Sequence, residues 1–193
     1  MKKAEIRGLL KEVVTMQDIS SFLIKTGLNG NLLELGVFGG HGIHLLGKSN
    51  PKSLIGVDIW QDDGNVTVTD GMNEAKMEEN YKEALTLLNI YPTLKYIKDY
   101  TSNCVNTFED EYFDFIYIDA DHSYEGCKAD LLNYWPKVKR GGILSGHDYF
   151  EAATTYKFGV IQAVDEFRAS NNIPEDDFYV TPESYAPSWF IIK

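Results

Sequence analysis

Asp119-Ala120-Asp121-His122 and His147-Asp148 are the residues of this 193-residue chain best suited to chemistry. Each group closes an apolar run, Phe113–Ile118 before the first and Ile143-Leu144-Ser145-Gly146 before the second. Carboxylates only accept hydrogen bonds, whereas an imidazole changes role near neutral pH. Drawn together from neighbouring strand ends, four such groups could bind one divalent cation. An imidazole in place of an oxygen ligand shifts the preference from Mg²⁺ toward Mn²⁺, Zn²⁺ or Fe²⁺. Without a metal, His147 or His122 would act as general base, since an ordinary imidazole is largely neutral at pH 7. The plainer readings are a helix cap for His122, a backbone hydrogen bond for His147 and a lysine pair for Asp121.

A second constellation is Glu34-Leu35-Gly36-Val37-Phe38-Gly39-Gly40-His41-Gly42. Glycines between a strand and a helix let the backbone approach a ligand and aim helix N–H groups at it. The dinucleotide fingerprint G-x-G-x-x-G fails: from Gly36 its second glycine would be Phe38, and from Gly40 its third would be Leu45. An acid before the turn repels phosphate and anchors an amine, which favours a zwitterionic cofactor over NAD. A turn that binds nothing is the alternative. Asp58 follows Gly36 by 22 residues and suits a ribose diol. Ile59 and Trp60 come next, with Trp60 either covering an adenine face or sitting in the core. Asp99 and Tyr100 suit the adenine side, Asp99 also reading as a turn residue or helix cap. His44 reads as a packed or surface residue in the helix after the turn.

The elements that must position these groups are legible from periodicity. Residues 4–27 carry apolar residues at helical spacing, and Asn29-Gly30-Asn31 ends them. Strands are predicted at 31–37, 53–59, 94–98, 113–118, 141–146, 178–180 and 189–192. Helices are predicted at 42–48, 72–89, 125–135 and 160–170, with 61–71 as a loop. Alternating strands and helices, the strands continuously apolar, give an α/β fold with a mainly parallel sheet covered on both faces. Ligands then bind outside the carboxyl ends of the strands. The acidic segment 61–90 lies where a lid over the substrate would, and is expected to move. The chain has no repeat or linker and reads as one domain, 1–193, with an N-terminal helical segment over 1–29.

Composition narrows the partners. Lys+Arg number 18 against 29 Asp+Glu, a net charge of −11. Residues 61–125 hold 15 of the acids and 4 of the bases. That sign is wrong for nucleic acid. No apolar run spans a membrane, and Glu5, Arg7, Lys11 and Glu12 interrupt any signal-peptide core after Lys2-Lys3. Cys104 and Cys127 make no CxxC pair and fit a reducing compartment. A cytoplasmic location is expected.

Glu34–Gly42, Asp58, Asp99 and the strand ending at Asp119 resemble the ordered motifs of class I S-adenosylmethionine-dependent methyltransferases. The segment from Tyr117 to Phe150 resembles a small-molecule branch with D-x-D-H-x-Y and G-H-D-Y motifs. The resemblance implies a Rossmann-like seven-stranded sheet with an antiparallel C-terminal hairpin. It implies that Glu34, Gly36, Gly39 and Gly40 hold the methionine part, with Phe38 where glycine is commonest. Asp58 would take the ribose, Asp99 and Tyr100 the adenine side, and Asp119 would lie near the sulfonium. Similar catechol and caffeoyl-CoA O-methyltransferases carry an acid at Asp119 and a D-N pair at His147-Asp148, which implies Asp119, His147 and Asp148 as ligands of Mg, Mn or Zn. The expected reaction is methylation of a hydroxyl on a small molecule. The alternatives are a non-catalytic cofactor-binding protein and an NAD-dependent oxidoreductase. Residues 4–27 would cover the cofactor or form a homodimer contact.

Overall fold

A computed structural model describes residues 2–61, 73–151 and 158–193. Helices α1 (Lys3–Leu10) and α2 (Ile19–Thr26) precede β1 (Asn31–Leu35), α3 (His41–Gly47) and β2 (Ser53–Asp58). Then come α4 (Glu74–Thr86), β3 (Leu94–Lys98), α5 (Thr101–Cys104) and β4 (Phe113–Ile118). The chain closes with α6 (Tyr124–Tyr134), β5 (Val138–Gly146), α7 (Val160–Ser170), β6 (Phe178–Val180) and β7 (Trp189–Ile192). The seven strands form one sheet in the order β3-β2-β1-β4-β5-β7-β6. Strands β1 to β5 run parallel, while β7 is antiparallel to both β5 and β6. This is the Rossmann-like seven-stranded sheet that the resemblance implies, antiparallel C-terminal hairpin included.

The central strands β1 and β4 are buried on both faces because helices cover both, while the edge strand β3 buries only Leu94. In β1, Leu32 joins a core with Ile6, Leu10, Phe22, Leu23 and Ile43. Its neighbour Leu33 joins a second core with Leu131, Tyr134, Val164 and Phe167. Side chains alternate across a strand, so consecutive leucines serve opposite layers. Strand order reverses between β1 and β4, which opens a crevice at their carboxyl ends. Gly36 and Asp119 face each other there: Gly36 has φ +82°, and a Cβ on it would lie 2.0 Å from the Asp119 carbonyl oxygen.

Several element ends differ from the sequence reading by one to three residues, and two departures stand out. Strand β5 begins at Val138, before the glycine pair, because Val138 pairs with Phe113 across an irregular register. Helix α5 was not foreseen. Within the segment expected to be a lid, α4 packs inward: Asn80 and Ala84 are buried, and the Tyr96 hydroxyl donates to the Ala84 carbonyl at 3.0 Å. The rest of the expected lid, 62–72, lies outside the described residues. Among the described residues, no helix is long and apolar enough to cross a membrane. Both cysteines are free and buried.

Candidate active site

One cleft runs across the carboxyl ends of the strands and collects most of the residues singled out above. Its floor is Glu34. The side chain is 1% exposed and leaves Oε2 with no hydrogen-bond partner. Gly42 makes room for it, since a Cβ there would stand 1.8 Å from Glu34 Oε1. Burial first, then the charges of Asp119 and Asp58, pushes this carboxyl well above its ordinary value. A buried acid with an idle oxygen suits a cationic ligand group, because an ammonium would satisfy the oxygen and offset the neighbouring charge.

The glycine turn is held by Asp58. Its Oδ2 accepts from the N–H groups of Val37 at 2.7 Å and Phe38 at 2.8 Å, and Oδ1 from that of Trp60 at 2.7 Å. Phe38 adopts φ +51°, the region glycine would prefer, and lies 43% exposed on the cleft. Asp58 on its N–H and Trp60 Nε1 on its carbonyl (2.8 Å) clamp the strained residue in place. Trp60 is therefore not an adenine cover. It is 2% exposed and packs on Tyr81 and Tyr96, while Ile59 lines the cleft in its stead. Asp99 accepts from Tyr100 N at 2.8 Å and Asn103 Nδ2 at 2.7 Å, so it braces α5 from the cleft rim. Tyr100 stays 46% exposed beside it. Gly39 and Gly40 line the cleft too, with Gly40 (φ +95°) preceding α3. His44 is packed, its Nδ1 2.8 Å from the Tyr91 hydroxyl.

At the ends of β4 and β5 the acid–histidine groups do converge. His122 Nε2 lies 3.1 Å from Asp119 Oδ1 and 2.7 Å from Asp148 Oδ2. His147 Nδ1 lies 3.4 Å from Asp148 Oδ2 and 3.8 Å from Asp119 Oδ1. Asp148 turns back toward His122 through a left-handed backbone, φ +58°. Asp121 does not join: its Oδ1 accepts from Ser123 N at 2.8 Å, ahead of the Ser123 cap of α6.

These contacts change the acid–base reading. Burial acts to lower the His122 imidazolium, but hydrogen bonds to Asp119 and Asp148 and their charges outweigh it and hold the group at about 10. Burial likewise opposes the charge on His147, yet its Asp148 contact and both carboxylates raise it. Asp148 moves the other way: burial would raise it, but the two imidazoles pull it well below its usual range. Both histidines thus favour the cationic form more than an ordinary imidazole, contrary to the expectation of a neutral pair.

The metal expectation changes as well. The tightest trio is Asp119, His122 and Asp148, whose ligand atoms lie within 4.8 Å of one another. His122 joins Asp119 and Asp148 because the D-x-D-H turn folds it back over Asp119, and the expected His147 stands beside the same two carboxylates at 3.8 and 3.4 Å. The mixed oxygen and nitrogen donors fit a divalent cation.

Residues that the sequence reading passed over complete the cleft. Met16 and Gln17 reach it from the N-terminal segment, and Glu183 and Tyr185 from the segment between β6 and β7. Asp130 on α6 is 3% exposed, lines the cleft, and accepts from Thr101 Oγ1 at 2.7 Å. Burial pushes its carboxyl up to about 6.

With the geometry in hand, the family profile described as a methyltransferase domain matches residues 33–149, from β1 through the end of the acid–histidine cluster. The chain belongs to the methyltransferase domain family. It falls in the class I S-adenosylmethionine-dependent superfamily, in line with the order of its motifs. Among solved structures it is similar to an O-methyltransferase from Bacillus cereus in complex with SAH, with a TM-score of 0.62 and 15% identity over 92% of this chain and 80% of that one. An SAH-bound methyltransferase from Podospora anserina shares 18% identity over 91% and 78%, with a TM-score of 0.57. A spermidine synthase from Thermotoga maritima has the same TM-score, 0.57, and covers 92% of this methyltransferase and 60% of its own chain. Likeness at these identities establishes the fold. No curated protein matches the chain by sequence.

Proposed function

We propose that this methyltransferase moves a methyl group from S-adenosylmethionine to a hydroxyl oxygen of a small molecule, in the cytoplasm. The observation that carries the reading is one cleft with an idle buried carboxylate, Glu34, at its floor and an acid–histidine cluster at the adjoining strand ends. Bound S-adenosylmethionine supplies an electrophilic methyl carbon on a sulfonium leaving group. Glu34 would receive its ammonium. Asp58, with three of about four acceptor positions engaged, keeps capacity for a ribose hydroxyl. Ile59, Asp99, Tyr100 and Phe38 would flank the adenine.

His147 in its neutral form is the proton acceptor in this reading, a form that becomes more populated as pH rises. His122 is ion-paired to two carboxylates and positions Asp119 and Asp148, while His147 makes only the longer contacts and lines the cleft. Asp119, His122 and Asp148 would hold a divalent metal, which supplies Lewis acidity toward the acceptor hydroxyl. A metal and the proton on His122 compete for the same lone pairs, so metal loading should strengthen as pH rises.

The test is formation of S-adenosylhomocysteine from S-adenosylmethionine with hydroxylated small molecules, with EDTA and with added Mn²⁺. Turnover lost in His147→Ala, with cofactor affinity kept within about twofold, supports the reading. Unchanged turnover in that variant removes His147 from the reaction. Cofactor binding with no effect of His147→Ala or Asp148→Ala on any property would favour a non-catalytic role.

A further inference from the structure

The charge of the cleft is one-sided. Eight carboxylate side chains line it, and among the described residues no lysine or arginine does. Some of that charge has local work: Glu34 on the floor, Asp58 in the turn, and Asp99 and Asp130 accepting from Asn103 and Thr101 of α5. The acceptor end is separate. There Glu183 stands half-buried, its Oε1 accepting from Thr181 Oγ1 at 2.8 Å. The Tyr149 N–H donates to the Pro187 carbonyl at 3.0 Å, which ties this segment beside the His147–Asp148 pair.

Aromatic rings accompany the charge. Tyr185, 79% exposed, has its ring centroid 5.6 Å from that of Phe150. Phe150 lies 5.6 Å from Phe158, and Phe158 lies 5.1 Å from the His122 ring. The row of rings leads from solvent to the acid–histidine cluster. An exposed tyrosine face beside a fixed carboxylate is the combination that recognises an organic ammonium, through cation–π attraction and an ion pair. Phosphate or carboxylate recognition needs an arginine fork, a lysine or a free helix N-terminus. Among the described residues His122 and His147 offset Asp119 and Asp148, which leaves Glu183 as the carboxylate an anionic acceptor would meet, and like charges across an interface select against a ligand.

We infer that the acceptor is a small organic cation: a hydroxylated ring bearing a protonated amine that rests between Glu183 and the Tyr185 face while its hydroxyl reaches His147. Coenzyme A thioesters, phosphorylated sugars and carboxylic acids are disfavoured by the same carboxylate. The inference rests on the methyl-transfer reading above and assigns the substrate class of that site.

The test is calorimetric titration of the protein, saturated with S-adenosylhomocysteine, with dopamine and separately with 3,4-dihydroxyphenylacetate. The two share a catechol ring and differ in side-chain charge. Dopamine is expected to bind at least about tenfold more tightly, and Glu183→Gln to cut that preference to about twofold with S-adenosylhomocysteine affinity unchanged. Raising the salt to about 0.5 M should shrink the preference as well. Equal or tighter binding of the carboxylate, a preference untouched by Glu183→Gln, or no binding of either probe to the loaded protein overturns the inference. Failure of S-adenosylhomocysteine itself to bind would instead overturn the cofactor site on which it stands.

Discussion

Asp148 illustrates how much single contacts decide in this site. It accepts from His122 and approaches His147, and both imidazoles are raised in consequence. His122 sits at about 10 in the folded protein against about 6.5 for a free imidazole. A raised histidine contributes stability that is fully present below about pH 6.5 and lost as pH rises through about 10. Asp148 is depressed, so its share is present above about pH 4 and lost on further acidification; the two shifts describe one ion pair and count once. Melting temperature should therefore fall between pH 8 and 10.5, and Asp148→Asn should flatten that fall. The same substitution should move the acidic limb of the turnover profile to lower pH, because His147 loses its partner. Asp130 has the opposite sign. Its carboxyl is raised to about 6 by burial, so stability falls as pH climbs from about 4 to 6, where the unfolded chain ionises and the folded one does not, and stays lower above that. Asp130→Asn keeps an acceptor for Thr101 and should gain up to about 1–2 kcal/mol at pH 8 relative to pH 4, read by denaturant titration at both pH values. Neither Asp130 nor the fate of Trp60 was legible in the sequence. A lone acid in a helix reads as solvated, and Trp60 is drawn inward by the Phe38 carbonyl, a partner that only the folded turn supplies.

Elements, by contrast, were largely readable. Phe113–Ile118, with five of its six residues buried, stands where its apolar residues placed it, because a central parallel strand buried on two faces leaves a nearly continuous signature, whereas the edge strand Leu94–Lys98 buries only Leu94. Helix α5 left none: four residues, Thr101–Cys104, are too few for a period. The glycine turn was legible as a motif, but what holds it was not. Asp58 reads as a ribose ligand, and the structure shows its first task is accepting three backbone N–H groups. Asp58→Ala should therefore cost about 1–3 kcal/mol of stability as well as tenfold or more in cofactor affinity. Gly36→Ala should be more severe. It places a Cβ against the Asp119 carbonyl at a positive φ, and loss of folding, seen as a lost cooperative melt, is expected.

Across the whole molecule, seven strands and two helical layers converge on one crevice between β1 and β4. Everything assigned here to cofactor and acceptor lies along that crevice or the cleft that extends from it. The central claim is that Glu34 and the glycine turn form a site for S-adenosylmethionine. Calorimetric titration with S-adenosylhomocysteine, in wild type and in Glu34→Gln, tests it most directly. The account predicts micromolar binding that EDTA leaves intact and that Glu34→Gln weakens about tenfold or more, since Gln offers an amide where the ammonium needs a carboxylate. No binding at millimolar ligand, or binding indifferent to Glu34→Gln, would contradict it.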